Sequence, residues 1–209
     1  MSDPRSSAAH SLMAYIESLP TWTLIVVDSH YEHMGAVICD AGLQAGINYR
    51  HVVYPRIQSL LSGHPEIKTT SGFLDLLNVH GADVILTWNG VKKLNTITQL
   101  AQFFAERGIE TTAQLQAWLL EPQHLTDLET ISGVGPKTVD YIQLLVGIPA
   151  VAVDVHLRNF VRQAGIDLTT YIEVRDVIAS TAELMGVGQA TLDHSIWSYM
   201  SRPYAVTQP

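Results

Sequence analysis

Residues 125–160 limit the possible folds of this chain more than any other stretch of its sequence. Gly133 and Gly135 flank a single valine there, a pattern typical of a tight turn that needs unusual backbone dihedrals or a close approach of the backbone to another group. Pro136 follows directly and suits the first residue of a helix, because the N–H group that proline lacks would make no hydrogen bond at that position. The apolar residues after it keep helical spacing as far as Gly147. The stretch therefore predicts a tight turn that leads into a helix.

Two side chains near this turn carry groups suited to catalysis. Lys137 lies in the first turn of the predicted helix, whose positive end disfavours an ammonium and should lower the pKa of the amine toward that of a usable nucleophile. Asp154 stands just before another predicted helix, 155–164, and supplies a carboxylate. Each residue also has a simpler interpretation, Lys137 as a surface lysine paired with Asp140 and Asp154 as a plain N-cap. Asp140 would also hold the amine protonated, which opposes its use as a nucleophile.

Residues 131–138 read I-S-G-V-G-P-K-T, and residues 153–156 read V-D-V-H. These segments resemble the L-P-G-V-G-x-K-T hairpin and the V-D-T/S-H segment of the helix-hairpin-helix–GPD superfamily of DNA glycosylases, the endonuclease III group especially. The resemblance implies that Asp154 is catalytic and that Lys137 forms a Schiff base, as in the bifunctional members of the superfamily. The interval between these two residues is one residue shorter than is usual in the group.

The resemblance and the neighbouring sequence also suggest a set of binding residues. Gln44 resembles a helix-end glutamine that fills the gap left by a flipped base, and its alternative is an ordinary exposed glutamine. Residues expected to contact DNA are Gly133, Val134, Gly135, Thr138, Gln44, Asn48, Tyr49 and Arg50. Candidates for the wall of a base pocket are His30, Tyr31, Asp140, His156 and Asp193.

Composition bears on cofactors and partners. The single cysteine, Cys39, cannot ligate the four-cysteine iron–sulfur cluster of many endonuclease III relatives, so we expect a protein without that cluster or any other cofactor. His30 and His33 are spaced like two zinc ligands, but no second pair of ligands elsewhere in the sequence would complete the site, so we expect no zinc. The backbone of residues 131–135 could hold a monovalent cation, as in relatives. The formal net charge of −8 is unusual for a DNA-binding protein and favours either a local basic face or a substrate with fewer phosphates.

The sequence as a whole predicts an all-α fold. The resemblance implies two helical lobes with the active site in the cleft between them: one lobe at about 31–147, which contains the hairpin at 125–147, and the other at about 1–30 plus 148–209. The spacing of Thr126 and Glu129 is that of a capping box, so we expect a helix to begin at Thr126. Other predicted helices cover 6–19, 21–28, 34–44, 49–61, 71–79, 83–88, 92–107, 112–120, 155–164, 172–185 and 190–200.

The predicted function is that of a DNA N-glycosylase in base excision repair, which flips a damaged or modified base out of the helix and excises it. AP lyase activity through Lys137 is the second activity that the resemblance implies. One alternative is a non-catalytic helix-hairpin-helix module that binds DNA, and another is a glycosylase that acts on modified nucleotides or RNA. We expect a monomer without a membrane segment or signal peptide, located in the cytoplasm and associated with the nucleoid if the source is bacterial.

Overall fold

The computed structural model describes residues 4–27 and 30–201, and within these ranges the regular structure is helical without a strand. The predicted all-α class is therefore confirmed. One π-helix, Tyr49–Val53, follows the second α-helix. The α-helices are α1 Pro4–Ser18, α2 Met34–Leu43, α3 Tyr54–Gly63, α4 Thr70–His80, α5 Ala82–Leu86, α6 Val91–Glu106, α7 Thr112–Trp118, α8 Pro122–Leu128, α9 Pro136–Leu145, α10 Val155–Gln163, α11 Tyr171–Met185 and α12 Gln189–Met200.

The chain divides into two compact units. Unit 1 comprises Met1–Asp28 and Pro149–Pro209, of which the structure describes 4–27 and 149–201. Unit 2 comprises Ser29–Ile148, of which it describes 30–148.

Unit 2 is built around α2, in which every residue is buried. Apart from Asp40, its residues are apolar or small, which is typical of a helix surrounded by others. Gly42 lets α6 come close, because a Cβ atom at this glycine would lie 2.4 Å from Cγ1 of Ile97. Phe73 and Phe104 fill the same core and are both fully buried. The end of α2, which carries Gln44, is therefore held by its packing against α6.

Unit 1 has its own core, in which α1 and α11 pack together with α10 and α12. Phe160 is fully buried there and contacts the rings of Tyr15, Trp22 and Tyr199. This core supports the start of α10, where Asp154 lies.

The predicted helix at 21–28 is wrong for the residues that the structure describes. Residues 22–27 form no helix, and Asp28 lies outside the described residues. The backbone N–H of Ile25 donates to Oγ of Ser195 at 2.8 Å, so a side chain distant in sequence binds a group that a helix would use. Leu24 and Val26 are 42 % and 74 % exposed, so the apolar run is not the buried element that its composition indicates.

The predicted start of a helix at Thr126 is also wrong. The helix α8 begins at Pro122 with Glu121 as its N-cap, and it ends at Leu128, so that Glu129 is its C-cap. Proline is preorganised for a first helical position, and this preference outweighs the capping-box spacing that begins four residues later. The hairpin therefore follows the end of α8 by a turn and leads into α9 at Pro136.

Candidate active site

The turn before α9 owes its shape to the two glycines. Gly133 has a φ of +89°, and a Cβ atom there would lie 2.5 Å from Oγ1 of Thr96. That hydroxyl is 2.9 Å from the carbonyl oxygen of Ser132 and donates to it, which fixes the turn against α6. Gly135 is extended, and the space around its missing Cβ is open to 4 Å. The N–H groups of both glycines donate no hydrogen bond within the described residues, so they remain available to an anion.

Lys137 lies in the first turn of α9 and is half-buried. Its Nζ atom donates to Oε1 of Gln44 at a distance of 2.6 Å. Gln44 is the C-cap of α2 and is only 8 % exposed, so it is not an ordinary surface glutamine. The Nε2 atom of Gln44 is buried and has no hydrogen-bond partner in the described part of the chain. The amide of Gln44 thus holds the lysine amine with its oxygen, while its nitrogen remains without an acceptor.

Asp140 lies three residues after Lys137 and is buried, with 7 % of its surface exposed. Its Oδ1 accepts a hydrogen bond from Nε2 of Gln143 at 3.2 Å. The carboxylate is therefore held on α9 itself, one helical turn from the amine.

A second cluster lies one turn further along the same two helices. The carboxylate of Asp40 in α2 accepts hydrogen bonds from three tyrosine hydroxyls: Tyr31 to Oδ2 at 2.9 Å, Tyr49 to Oδ2 at 3.3 Å and Tyr141 to Oδ1 at 3.1 Å. Asp40 has no exposed surface. Because Asp40 precedes Gln44 by four residues and Tyr141 follows Lys137 by four, the pairs Gln44–Lys137 and Asp40–Tyr141 connect α2 to α9 at two successive turns. We call Asp40 with Tyr31, Tyr49 and Tyr141 the tyrosine cluster.

Burial dominates the electrostatics of the tyrosine cluster. It raises the pKa of Asp40 to about 6, although the three hydroxyl donors favour the ionised form and act in the opposite direction. Burial and the negative charge of Asp40 raise the pKa of Tyr49 to about 12 and that of Tyr141 well above its usual value. The hydroxyls therefore stay protonated and remain donors at neutral pH.

Lys93 is a second half-buried amine near the hairpin. It lies in the first turn of α6 and is half-buried. Burial lowers its pKa, and the positive charge of Lys137 lowers that pKa further. Two amines thus influence each other's charge where α6 and α9 begin.

Asp154 belongs to unit 1, whereas Lys137 belongs to unit 2. Asp154 is the N-cap of α10, and its Oδ1 accepts from the backbone N–H groups of His156 at 2.8 Å and Leu157 at 3.0 Å. Its Oδ2 accepts no hydrogen bond from the residues that the structure describes, so one carboxylate oxygen is open to a ligand. The plain N-cap and a chemical role are therefore compatible.

Asp193 on α12 supports the segment before Asp154. Its Oδ2 accepts from the backbone N–H of Ala152 at 2.7 Å. The hydroxyl of Tyr171 accepts from the N–H of Val153 at 3.3 Å. Both contacts bind the two residues that precede Asp154, so they fix its position in unit 1.

The other predicted site residues have varied surroundings. Val134 and Thr138 are buried, so their side chains are not presented to a ligand outside the protein. Asn48 is exposed, and its Oδ1 accepts from the N–H of His51 at the start of the π-helix. Arg50 is exposed, and His156 is partly buried in the first turn of α10. His30 is exposed, and a Cβ atom at Gly147 would lie 3.4 Å from its ring.

Sequence analysis missed Asp40, Tyr141 and Lys93. Asp40 and Gln44 are four residues apart, and so are Lys137 and Tyr141. If the two helices had been known to be neighbours, this spacing would have predicted that Asp40 meets Tyr141 where Gln44 meets Lys137. Nothing in a linear pattern shows that neighbourhood. Lys93 belongs to the only adjacent pair of basic residues in the chain, and that pair was the available signal.

The part of the chain that the structure describes contains neither a candidate metal site nor a helix that could span a membrane. Within 4–27 and 30–201, no group of three or more histidine, cysteine, aspartate or glutamate side chains could hold a metal ion. None of the described helices combines the length and the apolar content that crossing a bilayer requires.

A family model described as "Domain of unknown function (DUF8548)" matches residues 17–201. The chain belongs to this family. A comparison with curated proteins finds no match to the sequence of this DUF8548 member.

Among solved structures, the chain is similar to endonuclease III in a trapped covalent intermediate with DNA, described as an estranged-adenine complex. The TM-score is 0.62 at 15 % sequence identity, and the match covers 100 % of this chain and 94 % of that one. The similarity confirms the predicted fold, a helical helix-hairpin-helix glycosylase fold. At this level of identity it establishes the fold alone.

Proposed function

We propose that this DUF8548 protein is a DNA N-glycosylase that excises a damaged or modified base, with lyase activity through Lys137. The observation that carries the proposal is the setting of Lys137. The lysine follows a glycine turn with two N–H groups available to a phosphate, and Gln44 holds its amine at 2.6 Å. A helix start of this kind binds anions, and an amine held there is directed at the sugar of a bound nucleotide.

In the proposed reaction, the target nucleotide is flipped out of the helix and the unprotonated Lys137 amine attacks its C1′ atom. The bond from C1′ to the base breaks, and the base leaves with the electron pair and takes up a proton. The lysine nitrogen loses one proton, the C1′–O4′ bond of the sugar breaks, O4′ takes up a proton from solvent to become a hydroxyl, and a protonated imine forms at C1′. Removal of a C2′ proton then breaks the C3′–O bond and expels the phosphate on the 3′ side, and hydrolysis of the imine restores the amine.

The proposal gives Asp154 an electrostatic role. The sugar develops positive charge as the base leaves, and a fixed carboxylate lowers the energy of that state. Its open Oδ2 supports this role, because the oxygen that caps α10 is already occupied. Because the two backbone N–H groups hold this carboxylate in place, it needs little reorganisation during the reaction.

The test is a screen of duplex oligonucleotides, each with one defined lesion, in which base release and strand nicking are measured and borohydride trapping reports the imine. Lys137→Gln should lose nicking and trapping and keep some base release, with water as the nucleophile. Lys68→Gln is the matched control, because Lys68 is an exposed lysine whose nearest carboxylate, on Glu32, is 3.9 Å away. Nicking should accelerate at alkaline pH and further with Asp140→Asn, which removes a charge that favours the ammonium. Base release without nicking or trapping at any pH would make the enzyme monofunctional.

The two glycines provide a second test of phosphate binding. Gly135→Ala should weaken DNA binding and cost under about 1 kcal/mol of stability, because its backbone is extended and the space at its Cβ is open. Gly133→Ala should lose at least about 1 kcal/mol, since its φ is +89° and Thr96 occupies the space. Gly63→Ala, with open space at its Cβ, is the control for both. Unchanged DNA affinity in stably folded Gly135→Ala would remove the turn from phosphate binding.

A non-catalytic module that binds flipped or modified bases is the second candidate. The net charge of −8 and the buried Asp140 beside Lys137 favour it. The same screen separates the two, because such a module would bind a lesion duplex and release no base from any of them.

A further inference from the structure

Three of the four lysines in the sequence, Lys92, Lys93 and Lys137, lie in the first turns of α6 and α9. The chain is otherwise strongly acidic, so this concentration of amines at two helix starts is unusual for its composition. Lys92 is exposed, whereas Lys93 and Lys137 are half-buried. The two half-buried amines are therefore less screened by solvent than the exposed one.

Two contacts one turn further along α6 fix the position of Lys93. The hydroxyl of Thr96 donates to the carbonyl of Ser132 at 2.9 Å, which holds α6 against the turn that leads to Lys137. Ile97 fills the space at Gly42, where a Cβ atom would lie 2.4 Å from it, two residues before Gln44. The first turn of α6 is thus anchored both to the hairpin and to the end of α2 that binds the Lys137 amine.

We propose that Lys93 is a positioning residue that promotes the chemistry assigned to Lys137 by placing a second, partly buried positive charge beside its amine. The inference rests on the proposed function for the role of that amine in catalysis. A neighbouring ammonium makes the protonated form of Lys137 less favourable, because two like charges repel each other equally. The same repulsion acts on Lys93, because burial and, in addition, the positive charge of Lys137 lower the pKa of its amine.

Other groups in unit 2 also act on the Lys137 amine. Gln44 at the end of α2 is neutral and accepts its hydrogen bond. Asp140 on α9 is the carboxylate one turn along, and it favours the ammonium. Asp40 and Tyr141 form the next pair along α2 and α9. On α6, Lys93 is therefore the half-buried charge that opposes that of Asp140, whereas Lys92 in the same turn is exposed.

The experiment measures the protonation of Lys137 directly in the full chain. Lysine amines are dimethylated with ¹³C-formaldehyde and a borane reductant, and the methyl signals are followed by NMR as the pH is raised. With only four lysines the spectrum is simple, and Lys137→Arg assigns the signal. Borohydride trapping as a function of pH is measured on the unmethylated proteins.

In Lys93→Gln, the titration midpoint of Lys137 should rise by about half a pH unit, the size expected for a partly exposed charge pair. The pH dependence of trapping should move in the same direction. Lys93→Arg keeps the charge and should restore the wild-type midpoint. Lys92→Gln removes the same charge from the exposed neighbouring position and should leave the midpoint in place. Lys93→Met repeats the loss of charge with an apolar chain that suits the half-buried site.

An unchanged midpoint in both Lys93→Gln and Lys93→Met would overturn the proposal. So would a shift in Lys93→Arg equal to that in Lys93→Gln, since the cause would then be packing and not charge. Failure of the proposed lyase has a different signature, because wild-type protein would then show no trapping at any pH while the NMR midpoints still report the coupling of the two lysines.

Discussion

Asp40 and Asp154 are both aspartates whose carboxylates accept more than one hydrogen bond, yet their surroundings differ in every other respect. Asp40 is fully buried in unit 2 and accepts from three tyrosine hydroxyls on other segments of the chain. Asp154 is partly exposed in unit 1 and accepts from two backbone N–H groups within three residues of itself.

The difference has an energetic consequence. Burial raises the pKa of Asp40 to about 6 from 3.8, so ionised Asp40 lowers the stability of the native state at neutral pH by about 3 kcal/mol relative to acid conditions. Capping by Asp154 instead adds about 1 kcal/mol to the stability of α10. Asp154, whose donors are its neighbours in sequence, stabilises the fold and leaves one carboxylate oxygen open to a ligand. Asp40, whose donors come from other segments of the chain, lowers the stability at neutral pH and has no exposed surface.

The largest expected effect is a loss of base excision when the charge of Asp154 is removed. Asp154→Asn should reduce base excision at least about a thousandfold, or about 4 kcal/mol of transition-state stabilisation, because it removes the negative charge and keeps the cap. DNA binding should be unchanged or tighter, since a negative charge is removed beside phosphates. Excision rates and a binding titration are measured beside those of Asp167→Asn, an exposed aspartate of unit 1. Wild-type excision by the variant would remove Asp154 from the mechanism.

The next effect concerns Asp40 and the dependence of stability on pH. The native pKa is raised, so the contribution of Asp40 is fully present below about pH 4 and is lost as the pH rises through about 6. The stability of the wild type relative to Asp40→Asn should therefore fall by about 3 kcal/mol between about pH 4 and pH 7. Urea unfolding at several pH values measures it, with Asp75→Asn as the exposed control. A difference that does not vary with pH would show that Asp40 titrates normally.

The smallest effect tests the cap alone. Asp154→Ala should lose about 1 kcal/mol of stability, whereas Asp154→Asn should lose little, because asparagine is also a good N-cap. Thermal unfolding of the two variants beside the wild type measures this difference. Equal stability of all three proteins would mean that the hydrogen bonds to His156 and Leu157 add nothing net to the fold.

The sequence alone predicted those structural features that a few neighbouring residues determine. The role of Asp154 as an N-cap and the turn at Gly133 are confirmed, because each follows from a few adjacent residues. The tyrosine cluster could not be predicted, since its members come from four separate segments and Asp40 lies within an apolar helix. The same limit applies to Gln44, whose partner Lys137 is 93 residues away.

The wrong predictions have the same origin. The apolar residues near Ile25 favour a helix locally, but residues 22–27 form no helix, and the backbone N–H of Ile25 donates instead to Oγ of Ser195, 170 residues away. The capping box at Thr126 is a correct local pattern that a stronger local signal, Pro122, replaces. Local patterns therefore failed where a distant contact or a competing pattern determined the backbone.

The π-helix Tyr49–Val53 determines the direction in which the side chain of Tyr49 leaves the backbone. A π-turn takes one more residue than an α-turn, and here the N–H of Tyr54 reaches back five residues to the carbonyl of Tyr49. A relative with one residue fewer in this segment would close it as an ordinary α-helix and rotate Tyr49 by about 100° relative to α3. The Tyr49 hydroxyl would then no longer reach Asp40, which would keep two of its three donors. We therefore expect the length of this short segment to vary together with the residue at position 40.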